Sequence, residues 1–363
     1  MSINSVFPEQ YEQQLEEKRA RIDTQFARFQ IPELKVFRSP ESHFRMRAEF
    51  KIWHEKGQAH YAMYQPGEYK KPFIIEDFPV GSELINSLMP RLLGAVNASE
   101  PLSRKLFQAE FLTTLSGEAV ITLIYHKPLD DAWQAEAEAL STSLGCSLIG
   151  RSRKQKRVIG QDSVTECLQV KERTFSYQQV ESGFTQPNAR VCEKMLAWAV
   201  ESAAPLSGDL LELYCGNGNF TLPLSQQFDR VLATEISKTS VHSALHNLAQ
   251  NQIDNVQIVR MSSEEFSQAM DGVRSFRRLR DIDLGSYRFS TVFVDPPRAG
   301  LDDHTTDVVK RFDHILYISC NPDTLARNLE SICETHDIKR FALFDQFPYT
   351  HHIECGALLS RRP

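Results

Sequence analysis

Residues 209–360 alternate short apolar runs with stretches of helical character, and nothing else in the chain limits the fold so strongly. DLLELY (209–214), RVLATE (230–235), VQIVR (256–260), TVFVD (291–295), HILYIS (314–319) and ALFDQF (342–347) read as strands, with 353–360 as a final one. Helices are expected near 188–203, 237–250 and 262–272, and a helix-compatible stretch follows CGNGN. Strands that are apolar along their whole length are buried on both faces, which calls for helices on either side of a largely parallel sheet. The second half, 181–363, is therefore expected to be an α/β domain with a doubly wound sheet. The polar, arginine-bearing insert 273–288 should lie outside that sheet.

The first half, 1–180, reads as a separate α+β region. Residues 9–29 have the pattern of a charge-rich amphipathic helix, and 130–144 are Ala/Glu-rich and helical. Segments near 44–53 and 109–126 look like strands, the latter folded about a turn at Ser116-Gly117. The chain has no internal repeat and no low-complexity tract.

Charge divides unevenly between these halves. The chain holds 41 Lys plus Arg against 47 Asp plus Glu, a net charge of −6 that falls entirely within 181–363. In the neutral half, bases gather between Lys35 and Lys56 and in RSRKQKR (151–157). Phosphate contacts are local, so such patches let an acidic protein bind RNA, although a solvated loop explains either patch equally well. The seven cysteines are scattered and never spaced C-x-x-C, which argues against a disulfide framework or a metal centre and for a reducing cytoplasm. No apolar run is long enough to span a membrane, and MSINSVFPEQ lacks the order of a signal peptide.

In an open α/β sheet, ligands bind beyond the carboxyl ends of the strands. The first strand of the second half runs into Tyr214-Cys215-Gly216-Asn217-Gly218-Asn219, a turn that lets the backbone approach a ligand. The second ends in Glu235, 19 residues after Gly216, the spacing at which a carboxylate accepts hydrogen bonds from a ribose. The third glycine of the dinucleotide fingerprint is replaced by Thr221, which disfavours a pyrophosphate cofactor. S-adenosylmethionine, which has a ribose and an adenine but no phosphate, fits better; an ordinary glycine turn is the plain alternative.

The fourth strand ends in Asp295-Pro296-Pro297-Arg298, whose prolines stiffen the exit. Arg298 stands where an aromatic residue would be expected if the target were a base amino group. The fifth ends in Ser319-Cys320-Asn321-Pro322, a thiol at the sheet edge before a helix start whose dipole is expected to favour the thiolate. Near the C-terminus, Glu354 lies between Ile353 and an apolar run. Partial burial should raise its pKa and suit it to proton transfer. His351-His352 has no further ligands at sensible spacing, so no metal is expected.

These segments together resemble the RNA 5-methyluridine methyltransferases, and most specifically their tRNA (uracil-5-)-methyltransferase branch acting on a T-loop uridine. The resemblance rests on GFTQPN (183–188), LELYCGNGNF (211–220), ATE (233–235), FVDPPRAGL (293–301), ISCNPDTLARNL (318–329) and FPYTHHIECGALL (347–359). FRMRAEFKIWH (44–54) and LFQAEFLTTLSGEAVITLIYHKPLDD (106–131) extend it through the first half. It implies a Rossmann-like S-adenosylmethionine-dependent methyltransferase domain over 181–363 and an α+β RNA-binding domain over 1–180. Relatives that act on ribosomal RNA commonly carry an N-terminal barrel and a four-cysteine cluster, neither of which this chain shows.

The resemblance further implies that Cys320 adds to C6 of the uracil, that C5 takes the methyl group with release of S-adenosylhomocysteine, and that Glu354 removes the C5 proton. It assigns Gln186, Tyr214, Asn219, Glu235 and Asp295 to the cofactor, and Phe107 and His126 to stacking on the opened loop. For Phe107 a core position is the alternative. Lys51 is a phosphate-contact candidate, and Arg298 also faces RNA in this reading. The expected partner is the T arm of tRNA, with tmRNA as a second substrate and no obligate protein partner. Three other readings remain: a ribosomal-RNA uridine methyltransferase, a nicotinamide oxidoreductase, and an RNA-binding protein without catalysis.

Overall fold

The computed structural model of the chain describes residues 5–65 and 67–363. The first four residues, part of the segment read for a leader, lie outside the described residues, as do Pro66 and the side chains of residues 68–71. The contacts divide the chain into two units, and the division is not one cut near residue 180. The first comprises residues 40–167 and 179–189 together with the extreme N-terminus. The second comprises Glu9–Ser39, Leu168–Gln178 and Arg190–Pro363.

The second unit is built on an eight-stranded sheet. Its strands are β1 (Leu34–Phe37), β2 (Asp209–Leu213), β3 (Val231–Thr234), β4 (Val256–Val259), β5 (Phe289–Val294), β6 (His314–Ser319), β7 (His336–Phe344) and β8 (Glu354–Arg361). They lie in the order β1-β7-β8-β6-β5-β2-β3-β4. Every pairing is parallel except those of β8, which runs antiparallel to β6 and β7. Helices α1 (Tyr11–Phe26), α2 (Ala189–Ala203), α3 (Lys238–Gln250), α4 (Ser263–Met270), α5 (Asp303–Val309) and α6 (Pro322–Ile332) belong with it. Leu211, Leu213, Val292, Val294, Ile315, Tyr317 and Leu343 are sealed in its core, each contributing roughly 1.5–3 kcal/mol by leaving water.

Three elements differ from the sequence expectation. The N-terminal helix, read as part of the first region, buries Tyr11, Leu15, Ile22 and Phe26 in the core of the second unit. The last parallel strand begins at His336 and stops at Phe344, so Asp345 and Gln346 are buried loop residues. Its first half, HDIKR, carries too many charges to read as a strand. After the glycine turn the helix is a single turn, Thr221–Leu224. The insert 273–288 forms two short 3-10 turns outside the sheet, although it sends Leu279 into the core.

The first unit is a seven-stranded, mostly antiparallel sheet. Strands Arg47–Glu55, Leu106–Thr113 and Ala119–Tyr125 fall where the sequence places them. Gln58–Gln65, Glu68–Ile74 and the hairpin Ser147–Ser152/Gln155–Ile159 complete the sheet. Helix Asp131–Leu144 is capped by the Asp130 side chain, which accepts from the Trp133 amide, and ends at Gly145 in the left-handed region. Ser163–Val170 and Arg173–Val180 form a separate two-stranded sheet. The basic stretch 35–56 is not one patch. Lys35 and Arg38 belong to the second unit, where they pair with Glu201 and Glu12.

Candidate active site

The carboxyl ends of β2, β3, β5 and β6 carry Tyr214, Asn219, Glu235, Asp295 and Cys320 along one edge of the sheet. Tyr214 leaves β2 at φ 63°, a left-handed conformation that a bulky residue rarely adopts. Conformations of this kind cost of order 1–3 kcal/mol and concentrate at functional sites. Its hydroxyl donates to Ser263 Oγ at the start of α4, 2.7 Å away. Gly218 at φ +86° completes the turn, where a Cβ would lie 2.8 Å from Leu222. The Asn219 carbonyl accepts from Tyr177 at 3.0 Å, and its side chain lies 3.5 Å from Cys192 Sγ.

Both oxygens of Glu235 accept backbone amides, from Gly216 at 2.9 Å and from Ser237 at 2.7 Å. The carboxylate thus ties the glycine turn to the start of α3, and each oxygen keeps a lone pair for a donor such as a ribose hydroxyl.

The loop after β5 is held from α6. Asn328, buried, accepts from the Leu301 amide and the Tyr317 hydroxyl and donates to the Leu301 carbonyl. Gly300, at φ +76°, passes so close that a Cβ would lie 2.7 Å from Asn328 Oδ1. Asn321 caps α6 by accepting from the Asp323 amide, and its side chain donates to the Arg298 carbonyl at 3.0 Å. These contacts explain the polar residues of NPDTLARN: their side chains supply hydrogen-bond partners for the backbone of FVDPPRAGL.

Glu354 opens β8. In the antiparallel register Cys355 faces Ser319, so Cys320 and Glu354 emerge side by side where β6 ends and β8 begins. Glu354 is 4% exposed. Burial holds its carboxyl well above the usual range, with Asp295 pushing the same way and Arg298 opposing. Asp295 is raised to about 7 by burial. Glu212, inside β2, is raised to about 8 by burial, and one of its oxygens has no hydrogen-bond partner.

The expectation that the helix start activates Cys320 is not met in the protein alone. Burial, followed by Glu354 and Asp295, pushes this thiol up to about 12, against a weaker opposing effect of Arg298. Two neighbouring carboxyls and desolvation outweigh the dipole of α6. Burial thus favours the proton-bound forms of Glu354, Asp295, Glu212 and Cys320, and Arg298 is the sole cation among the neighbours that shift Glu354. This donor set suits a ligand that brings positive charge and hydroxyl donors, as S-adenosylmethionine does with its sulfonium, ammonium and ribose. Among the described residues no group of three or more His, Cys, Asp or Glu could hold a metal ion, and no helix is long and apolar enough to cross a membrane.

Residues that the sequence reading missed brace the segment leading into Glu354. Asp345, Phe347 and His351 are held from α1: Lys18 donates to Asp345 at 2.7 Å and to the Phe347 carbonyl at 2.8 Å, and Arg21 donates to the His351 carbonyl at 3.0 Å. Tyr11 and Gln14 each donate to Asp345 at 2.8 Å. The only sequence signal for this network is an Asp within an apolar run.

The remaining expected site residues lie in the first unit. Phe107 is 38% exposed and stacks on His126 with ring centroids 4.4 Å apart, so it is not a core residue. The Lys51 ammonium sits 4.1 Å from the centre of the Phe107 ring and donates to Gln108. Gln186 also belongs to this unit, in the segment 179–189.

The sheet order, with one antiparallel strand set between parallel ones, and the carboxylate-lined edge above it define a Rossmann-like methyltransferase of the S-adenosylmethionine-dependent class. Residues 10–362 match the tRNA (uracil-5-)-methyltransferase family, and the chain belongs to that family. It is 62% identical over 352 residues to the tRNA/tmRNA (uracil-C(5))-methyltransferase of Cellvibrio japonicus, covering 97% of this chain and 96% of that one. It is 62% identical over 356 residues to the protein of that name from Saccharophagus degradans, covering 98% of each. Among solved structures, the Pyrococcus abyssi tRNA (uracil-54, C5)-methyltransferase in complex with S-adenosyl-L-homocysteine shares the fold. The TM-score is 0.74 at 20% identity, covering 96% of this chain and 83% of that one.

Proposed function

We propose that this protein methylates C5 of the T-loop uridine at tRNA position 54, with tmRNA as a second substrate, and that Cys320 and Glu354 carry the chemistry. The observation that carries this reading is the pairing of a thiol and a buried carboxyl at the ends of β6 and β8. Family membership and the names borne by the relatives support the substrate. Uracil C5 is a weak nucleophile; once the Cys320 thiol has released its proton to solvent, the thiolate adds to C6 and its electron pair displaces the C5–C6 π bond onto C5 as carbanion character. After methylation, Glu354 takes the C5 proton as the S–C6 bond breaks, which restores the C5=C6 double bond of the base and frees the Cys320 thiolate.

S-adenosylmethionine, when bound, supplies the electrophilic methyl group. Glu235 would accept from its ribose, Tyr214 and Asn219 would flank it, and Asp295 and Gln186 complete the assigned contacts. Burial raises the Glu354 pKa, so that once ionised this carboxylate is a strong proton acceptor for C5. A stacked uracil cannot be attacked at C6, so the base is flipped out. The exposed Phe107–His126 stack then takes the unstacked loop bases, with Lys51 and Arg298 toward phosphates. In this reading the first unit binds the T arm, no other protein is required, and the enzyme works in the cytoplasm.

Mass spectrometry of digested tRNA after incubation with protein and S-adenosylmethionine tests the proposal. The expected product is 5-methyluridine at position 54. Methylation of ribosomal RNA in preference to tRNA would overturn it.

A further inference from the structure

Arg151–Arg157 holds five bases in seven residues, and three of them are engaged within the protein. Arg151 grips Glu181 through two nitrogens, Lys156 lies 2.7 Å from Asp162, and Arg157 lies 3.4 Å from Asp131. The other two, Arg153 and Lys154, stand exposed at the hairpin tip, and no carboxylate among the described residues pairs with either. The tip is fixed from below. Gly150 lies against Trp133 so closely that a Cβ would sit 2.3 Å from the indole ring. Ser152 donates to the Lys127 carbonyl, and the Leu129 amide donates to Gln155 at 2.9 Å.

Beneath this rim lies a cavity of about 870 Å³ whose lining includes His126, Lys127, Arg151, Arg153 and Lys154 and no acidic residue. A second cavity of about 550 Å³ adjoins it through His126 and is lined by Lys51, Trp53, Tyr64, Lys105 and Phe107. An aromatic platform therefore runs directly into a cationic hollow of nucleotide size. Neighbouring aromatic and basic surfaces of this kind suit unstacked bases and their connecting phosphates.

We infer that the cavity under the 151–157 hairpin is a second RNA subsite, holding backbone phosphates next to the bases stacked at Phe107 and His126, with Arg153 and Lys154 as its contacts. The inference rests on the tRNA reading above. Unmatched cations on a braced rim, continuous with the stacking surface, favour RNA over a small free anion.

The test compares wild type with the double variant R153A/K154A, both side chains being solvent-exposed. Binding to unmodified tRNA is measured between 50 and 200 mM salt, as is turnover at saturating tRNA. Each lost phosphate contact should lower the slope of log affinity against log salt by about 0.7–0.9. The expected result is a slope smaller by roughly 1.5, affinity weaker by about tenfold, and unchanged turnover at saturation, with R153K close to wild type. An unchanged slope and affinity would overturn the subsite. Because binding is read without methylation, a wild-type protein that binds tRNA but leaves uridine 54 unmodified sinks the activity reading separately.

Discussion

Lys18 donates to Asp345 across 2.7 Å, and neither side chain is appreciably exposed to water. The pair joins α1 to the loop that delivers Glu354, with Tyr11 and Gln14 satisfying the other carboxylate oxygen. Burial lowers the Lys18 pKa and Asp345 restores part of that shift, so the ammonium depends on its partner for its charge.

Removing one member should be more harmful than its exposed counterparts suggest. Asp345→Ala leaves a buried ammonium and is expected to cost about 3–5 kcal/mol in urea unfolding. Lys18→Met should cost less, because Tyr11 and Gln14 still donate to the carboxylate.

Glu354→Gln should trap the reaction after methylation. Cys320 adds to C6, but the C5 proton is not removed, so a covalent protein–RNA adduct should run as a slow band on a denaturing gel. Cys320→Ala should abolish both band and turnover while leaving S-adenosylhomocysteine binding intact. Absence of the band in the Gln variant would assign the base elsewhere.

Glu235→Ala should weaken S-adenosylhomocysteine binding by about ten- to a hundredfold by calorimetry. Hydrogen bonds to a charged group contribute roughly 1.5–3 kcal/mol each, and this carboxylate also fixes the amides of Gly216 and Ser237.

The buried carboxyls predict a pH dependence of stability in the cofactor-free protein. Asp295 and Glu212 have folded pKa values of about 7 and about 8, above the values of an unfolded chain. The folded state therefore holds protons that the unfolded state releases, and this contribution is complete below about pH 4 and lost as pH rises through 7–8. Asp295→Asn should accordingly raise Tm at pH 8 and leave it nearly unchanged at pH 4, while impairing cofactor binding. A Tm gain that grows toward acid would contradict the assignment.

The sequence by itself determined the parallel core and which residues stand at the carboxyl edge of its strands. Apolar runs report burial on both faces, and the residue ending each run is placed at the carboxyl edge by period-two geometry. That is why Glu235, Asp295 and Cys320 could be located without coordinates, and why Glu354 could be read as buried. Tertiary structure alone decided the rest. It placed α1 in the second unit, because an amphipathic helix does not state which apolar surface it will cover. It joined Lys18 to Asp345 across more than 300 residues, and it pushed the Cys320 thiol up, first by burying it and then by bringing Glu354 and Asp295 near. It also sorted the bases of 151–157 into three held by carboxylates and two left at a hairpin tip. Charge counts along a chain carry no information about pairing, since Coulomb interactions depend on distances that only the folded packing sets.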